Sequence, residues 1–251
     1  MFRLLSARKK LVIKMMLKDR KLCFHSFTVL IFITALIWQL DYTKDSIPEN
    51  RYMADVQEYP LRYFSNWNVV MQFIYFSIVF SLDIEDYIPW KIWSSVWRAS
   101  LMRMKDYVFS TLLFPFASFV TVFFWTFYLY DRELVFPVSG EYFFTKYANH
   151  VAHTAVGIFA VLELFFTGDQ LRVSFKSCFN LISTVTAIYY TLFFYHYIEK
   201  GRFLYTMYNF YTWYQTAGLL TLSYLWTILN SFIGLRLQKH IRGAKPSTAK
   251  D

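Results

Sequence analysis

Residues 107–130 read YVFSTLLFPFASFVTVFFWTFYLY, twenty-four positions without a charged side chain. A helix that crosses a bilayer needs about 20 mostly apolar residues. Five further stretches meet the same requirement, giving six expected spans: Leu22–Leu40, Leu61–Leu82, Tyr107–Tyr130, Asn149–Phe166, Ser177–Tyr197 and Tyr211–Gly234. The composition agrees with them. Of 251 residues, 56% are apolar, 22% aromatic and only 17% charged. A disordered chain would be charged and poor in aromatics, and a water-soluble globule of this make-up would have too little polar sequence for its surface. Two cysteines, Cys23 and Cys178, both in apolar runs, exclude a disulfide scaffold. The expected fold class is all-α: a polytopic membrane protein with six transmembrane helices.

The formal net charge of +9 suggests nucleic acid at first sight. The basic residues, however, gather at the ends of the apolar segments, so no nucleic-acid partner is expected. Counted by alternate connections, 19 of the 26 Lys and Arg fall on one side and 7 on the other. The excess of positive charge marks the cytoplasmic side, so both termini are expected there. The chain then divides into a basic arm (1–21), a six-helix membrane domain (22–235) and a basic tail (236–251). The arm does not read as a cleavable signal, because its basic stretch is long and no small-residue cleavage site follows. Lys10, Lys14, Lys18 and Lys21 share a helical face, suited to water or to anionic lipid. In the second connection Trp90, Trp93, Trp97, Leu101 and Met104 recur at three- and four-residue steps. Lys91, Arg98 and Lys105 form another stripe. That pattern predicts an amphipathic interfacial helix over about 89–106.

Inside apolar spans the polar residues carry the information, because histidines, acids and amides are costly there. Asn149, His150, His153 and Thr154 open the fourth span, with Asn149 expected as its N-cap. The two histidines, three residues apart, share a face. No HExxH and no suitably spaced cysteine accompanies them, so no metal or other cofactor is expected. Ser65 follows Pro60 by five residues, and Pro60 suits a helix first turn. At 1.5 Å per residue, Ser65 and His153 both fall roughly 6–8 Å below the outer ends of their helices. His196, Asp131 and Glu133 share that level. Glu163 lies about 15 Å beyond His153 along the same helix, too far to orient it. A neutral imidazole can take the proton of a hydroxyl, which makes the oxygen a nucleophile towards an ester carbonyl, and can then protonate the leaving alcohol.

Two segments carry a family resemblance. They are Phe127-Tyr-Leu-Tyr-Asp-Arg-Glu-Leu-Val-Phe-Pro137 and Asn149-His-Val-Ala-His-Thr154. Both resemble the androgen-induced and androgen-dependent TFPI-regulating proteins, the FAR-17a-like multipass family. The second span from Tyr63 to Phe76, the Leu162-Glu163 pair and the stretch around His196, Gly201 and Tyr205 fit as well, so the resemblance covers about residues 60–235. The family is identified with intramembrane threonine hydrolases of fatty acid esters of hydroxy fatty acids. The resemblance implies a lipid ester substrate, a nucleophile at Ser65 and a histidine base at His153. Serine here stands in place of the family's threonine. It keeps the hydroxyl and loses the methyl that stiffens the first side-chain torsion. His150, Asp131 and His196 are candidates for supporting roles. The competing expectation is a non-catalytic membrane adaptor or a transporter on the same fold. Membrane lipids are the other expected partners, and plasma membrane or endoplasmic reticulum the expected location.

Overall fold

The structure, a computed structural model, describes residues 2–43, 51–142, 144–166 and 173–244, with side chains from residue 15 to 241 within those ranges except residues 42, 43 and 53. Among them every regular element is helical. They are α1 Phe2–Thr43, α2 Arg51–Glu58, α3 Phe64–Ile84, α4 Ser95–Tyr130, α5 over residues 146–163, α6 Phe175–Lys200 and α7 Trp213–Ala244. Five of them (Met15–Asp41 within α1, α3, α4, α6 and Met-free α7 over Trp213–Ile241) are long and apolar enough to cross a membrane. The expected fourth span is the helix α5. Asn149, His150, His153 and Glu163 lower its hydropathy below that of the other five.

The outside of the bundle is apolar. Leu129 and Ile198 are each 80% exposed, and Trp38, Leu222 and Phe232 are also open. Such a surface suits lipid rather than water. Inside, helices pack through aromatic rings: Phe32, Phe76, Phe109, Phe114 and Phe159 join α1, α3, α4 and α5. Without a hydrophobic drive between helices in lipid, close packing and small residues hold them together. Gly157 shows this, since a Cβ there would lie 2.5 Å from Thr121 Oγ1.

Local sequence sets the helix ends and breaks. Ser94 caps α4 by accepting from Trp97 N, and Ser174 caps α6 by accepting from Ser177 N. Gly201, at φ 69°, closes α6 in the left-handed conformation that a side chain disfavours. In α4 a π-turn at Phe109–Leu113 precedes Pro115. Proline has no N–H to donate and crowds the preceding turn, so the helix widens there rather than breaking. The amphipathic segment is helical from Ser95, with Trp90 and Trp93 in the turn before it, and it runs without a break into the span that follows. Trp90, Val96 and Trp97 face outward and Leu101 faces in. Of the lysine stripe on the N-terminal arm, the side chains of Lys10 and Lys14 lie outside the described residues, as do those of the tail from residue 242 on.

Two N-terminal expectations change. Pro60 opens a separate 3-10 turn, Pro60–Arg62. Tyr63 is extended, and α3 begins only at Phe64, so Ser65 stands in its first turn. The N-cap of α5 is Thr145, which accepts from Ala148 N, and Asn149 lies within the helix.

Candidate functional site

At the end of the bundle closed by α2 and by the 131–145 and 201–212 connections, α3, α4, α5, α6 and α7 enclose a cavity. The volume open to a water's centre is about 140 Å³, against roughly 10–15 Å³ for a single water, so this is space for a ligand rather than a packing defect. Phenylalanine and tyrosine rings supply most of the wall, among them Phe64, Phe116, Phe119, Tyr189 and Phe193. Ser65 and His153 both line it.

His153 is oriented by its own helix. A second π-turn, Val151–Ala155, contains it; such turns recur at functional sites because they re-aim a side chain without ending the helix. Its Nδ1 lies 2.9 Å from Asn149 Oδ1 and 3.0 Å from Asn149 O. Both are acceptors, so Nδ1 carries the proton and Nε2 is the basic nitrogen. Phe124 stacks on the ring, centroids 3.6 Å apart and planes 13° off parallel. Amide and ring together leave the imidazole little freedom.

Around Ser65, the helix N-terminus is bonded to tyrosines. Phe64 N donates to Tyr205 Oη at 3.0 Å, and Tyr205 Oη is 3.0 Å from Tyr189 Oη. Burial pushes the Tyr205 phenol up, so it stays protonated. Tyr63, also in the cavity wall, is 7% exposed, and its hydroxyl has no hydrogen-bond partner. A buried hydroxyl left unpaired costs about 1–3 kcal/mol.

Above the cavity, α2 contributes Tyr52 and Val56 to the lining. It is tied down by Asp55, which accepts from Arg202 Nε and Nη2 at 2.7–3.0 Å. The three supporting candidates lie elsewhere. His150 is exposed; its Nδ1 is 3.2 Å from Thr154 Oγ1 and its ring stacks on Trp125. Asp131 caps the short turn after α4, accepting from Glu133 N. His196 is fully buried and accepts from Arg62 Nη1 at 2.9 Å, with Asp55 Oδ2 3.8 Å from Nε2. None of the three lines the cavity.

Glu163 sits far from His153, at the opposite end of α5, and is fully buried. There it accepts from Tyr75 Oη at 2.7 Å and meets His25 Nε2 at 2.8 Å. The other nitrogen of His25 is 2.5 Å from Asp83 Oδ2. An imidazole between two carboxylates and a phenol locks α1, α3 and α5 together. This role of His25 has no local signature, because it stands alone in α1, 58 and 138 residues from its partners. Asn149 was equally hidden, expected only as a helix cap, and no role of its own was expected of Tyr63.

Fold and site thus define a multi-pass helical membrane protein with a polar-topped apolar cavity between its helices. The model of the FAR-17a/AIG1-like protein family matches residues 21–239, and the chain belongs to that family. The androgen-dependent TFPI-regulating protein of Homo sapiens is 22% identical over 86% of this chain and 90% of its own length. That of Mus musculus is 27% identical over 42% of this chain, and the androgen-induced gene 1 protein of Homo sapiens is 36% identical over 26%. The chain spans about half the length of the rodent relatives it matches, 45% of the mouse protein and 62% of the Mesocricetus auratus one. No solved structure matches.

Proposed function

We propose that this protein is an intramembrane lipid esterase that hydrolyses fatty acid esters of hydroxy fatty acids, with Ser65 as nucleophile and His153 as general base and then acid. The observation that carries the proposal is that these two side chains share one largely apolar cavity while Asn149 leaves His153 Nε2 free to accept a proton. His153 Nε2 takes the proton of Ser65 Oγ as that oxygen attacks the ester carbonyl. The Tyr63 hydroxyl donates to the oxyanion that forms. His153 returns its proton to the leaving alcohol, and the acyl-serine is left. Water then attacks the acyl carbonyl, losing its proton to His153, which hands it to Ser65 Oγ as the carbon–oxygen bond to serine breaks and the free acid leaves. The site faces the outer leaflet of the plasma membrane or endoplasmic reticulum, where a lipid ester arrives sideways and water from above.

The test is hydrolysis by the purified protein in lipid discs. A palmitoyl ester of hydroxystearic acid is expected to be cleaved and triolein spared. Ser65→Ala and His153→Ala are each expected to lower the rate by about 10³-fold, within the usual range for removing such groups, while Ser65→Thr keeps activity. An unchanged rate in Ser65→Ala would remove the serine from the mechanism.

A further inference from the structure

Three helices that line the cavity independently stop doing so at the same depth. On α4 the deepest lining residue is Phe116, on α6 Thr186 and on α7 Thr227. Each stands fourteen residues from the helix end nearest the site, Tyr130, Lys200 and Trp213 respectively, or about 21 Å at 1.5 Å per residue. Beneath them Ile182 and Cys178 are fully buried and packed with Phe116, so the space is closed there.

The chemistry of the wall changes along this depth. Near the top the Tyr63 hydroxyl waits for a partner. Lower down most of the polar groups are already satisfied by protein, the hydroxyl of Thr186 excepted. Ser223 Oγ donates to Leu219 O at 2.8 Å, Thr227 Oγ1 to Ser223 O at 2.9 Å, and Tyr190 Oη to Leu220 O at 2.5 Å. Tyr224 Oη is 2.8 Å from Ser183 Oγ. What these side chains turn to the cavity is methyl, methylene and ring, which offers nothing to a polar ligand and suits an alkyl chain.

We propose that the lower cavity is an acyl-chain pocket of fixed depth, floored by Phe116, Thr186 and Thr227, which selects the length of the acyl group transferred to Ser65. This rests on the esterase reading and adds the substrate's acyl length to it. Ser65 is the second residue of α3, and His153 is seven residues into α5, so the ester carbonyl lies roughly 2–10 Å below the helix ends. About 11–19 Å remain to the floor. Carbon–carbon bonds of about 1.5 Å advance a zigzag chain by about 1.3 Å per carbon, so a straight chain of about 9–15 carbons fits and a longer one must bend or protrude.

The experiment is a series of saturated p-nitrophenyl esters, from 4 to about 20 carbons, with the purified protein in lipid discs. We expect kcat/KM to peak at about 12–14 carbons and to fall at least about 10-fold by 18–20, the scale on which pockets reject surplus methylenes. Thr227→Phe and Thr186→Phe should shorten the optimum by several carbons, with the melting temperature of each ligand-free variant showing that it folds. A second measurement needs no turnover. The melting temperature of Ser65→Ala with saturated fatty acids of each length should peak at the same chain length. A profile flat to 20 carbons in both measurements, or an unmoved optimum in both phenylalanine variants, overturns the pocket. An absence of hydrolysis alongside a length-dependent melting temperature overturns the esterase and leaves the pocket standing.

Discussion

In the proposed reaction Asn149 and Tyr63 support Ser65 and His153. By accepting from Nδ1, the Asn149 oxygens select the tautomer in which Nε2 is basic. Asn149→Leu removes one of the two acceptors and keeps the backbone carbonyl, so kcat should fall while KM barely moves, and imidazole added to the assay should not restore it. Tyr63→Phe removes the unpartnered hydroxyl and nothing else. If that group meets the oxyanion, steady-state kinetics will show kcat lower by about 10²-fold with KM nearly constant; an unchanged kcat would assign the hydroxyl to no step. His153 stood out in the sequence because a histidine inside an apolar span is conspicuous; Ser65 did not stand out among the hydroxyls and came from the family resemblance. The neighbours were not legible, because the π-turn that brings Asn149 over His153 has no sequence signature and Tyr63 is one of 20 tyrosines.

The elements are held by contacts that join distant parts of the chain. His25, Asp83, Tyr75 and Glu163 bind three helices at the end of the bundle away from the cavity. Removing one partner strands a buried ionisable group, a loss of about 3–5 kcal/mol. Glu163→Leu should therefore lower the melting temperature of the solubilised protein markedly. The double variant His25→Leu/Glu163→Leu should recover part of the loss, and additive losses would contradict the coupling. In the turn before α4, the Trp93 backbone N–H and the Arg98 guanidinium hold the Glu85 carboxyl below the usual carboxylate range. A carboxylate whose folded pKa is depressed contributes stability that is complete above the unfolded value of about 4.3 and is lost as pH falls through the folded one. Tryptic cleavage at Lys91 should accordingly be slow at pH 7, where Glu85 is charged, and faster in Glu85→Gln at that pH. Five of the six expected spans fall on helices long and apolar enough to cross a membrane, though Met15–Asp41 of α1, α4 and Trp213–Ile241 of α7 overrun the expected bounds by seven to twelve residues, because a helix does not stop where its apolar run does. The start of α3 was not readable, because Tyr63 adopts an extended conformation that detaches Pro60–Arg62 from the helix.

At the scale of the molecule, a belt of exposed apolar side chains and an uneven distribution of 26 basic residues describe an integral membrane protein. The cavity lies at the end of the bundle covered by α2, away from the connections richest in Lys and Arg. Fold class followed from composition because no other architecture tolerates so little polar sequence. The cavity did not, because it arises where five helices fail to meet, and no single segment records that. If Ser65 is an activated nucleophile inside this cavity, a long-chain alkyl fluorophosphonate will label it covalently, as read by mass spectrometry of the modified peptide. A single adduct on Ser65 is expected, forming slowly in His153→Ala and not at all in Ser65→Ala. Labelling that persists in Ser65→Ala, or that maps to another residue, would rule Ser65 out as the nucleophile.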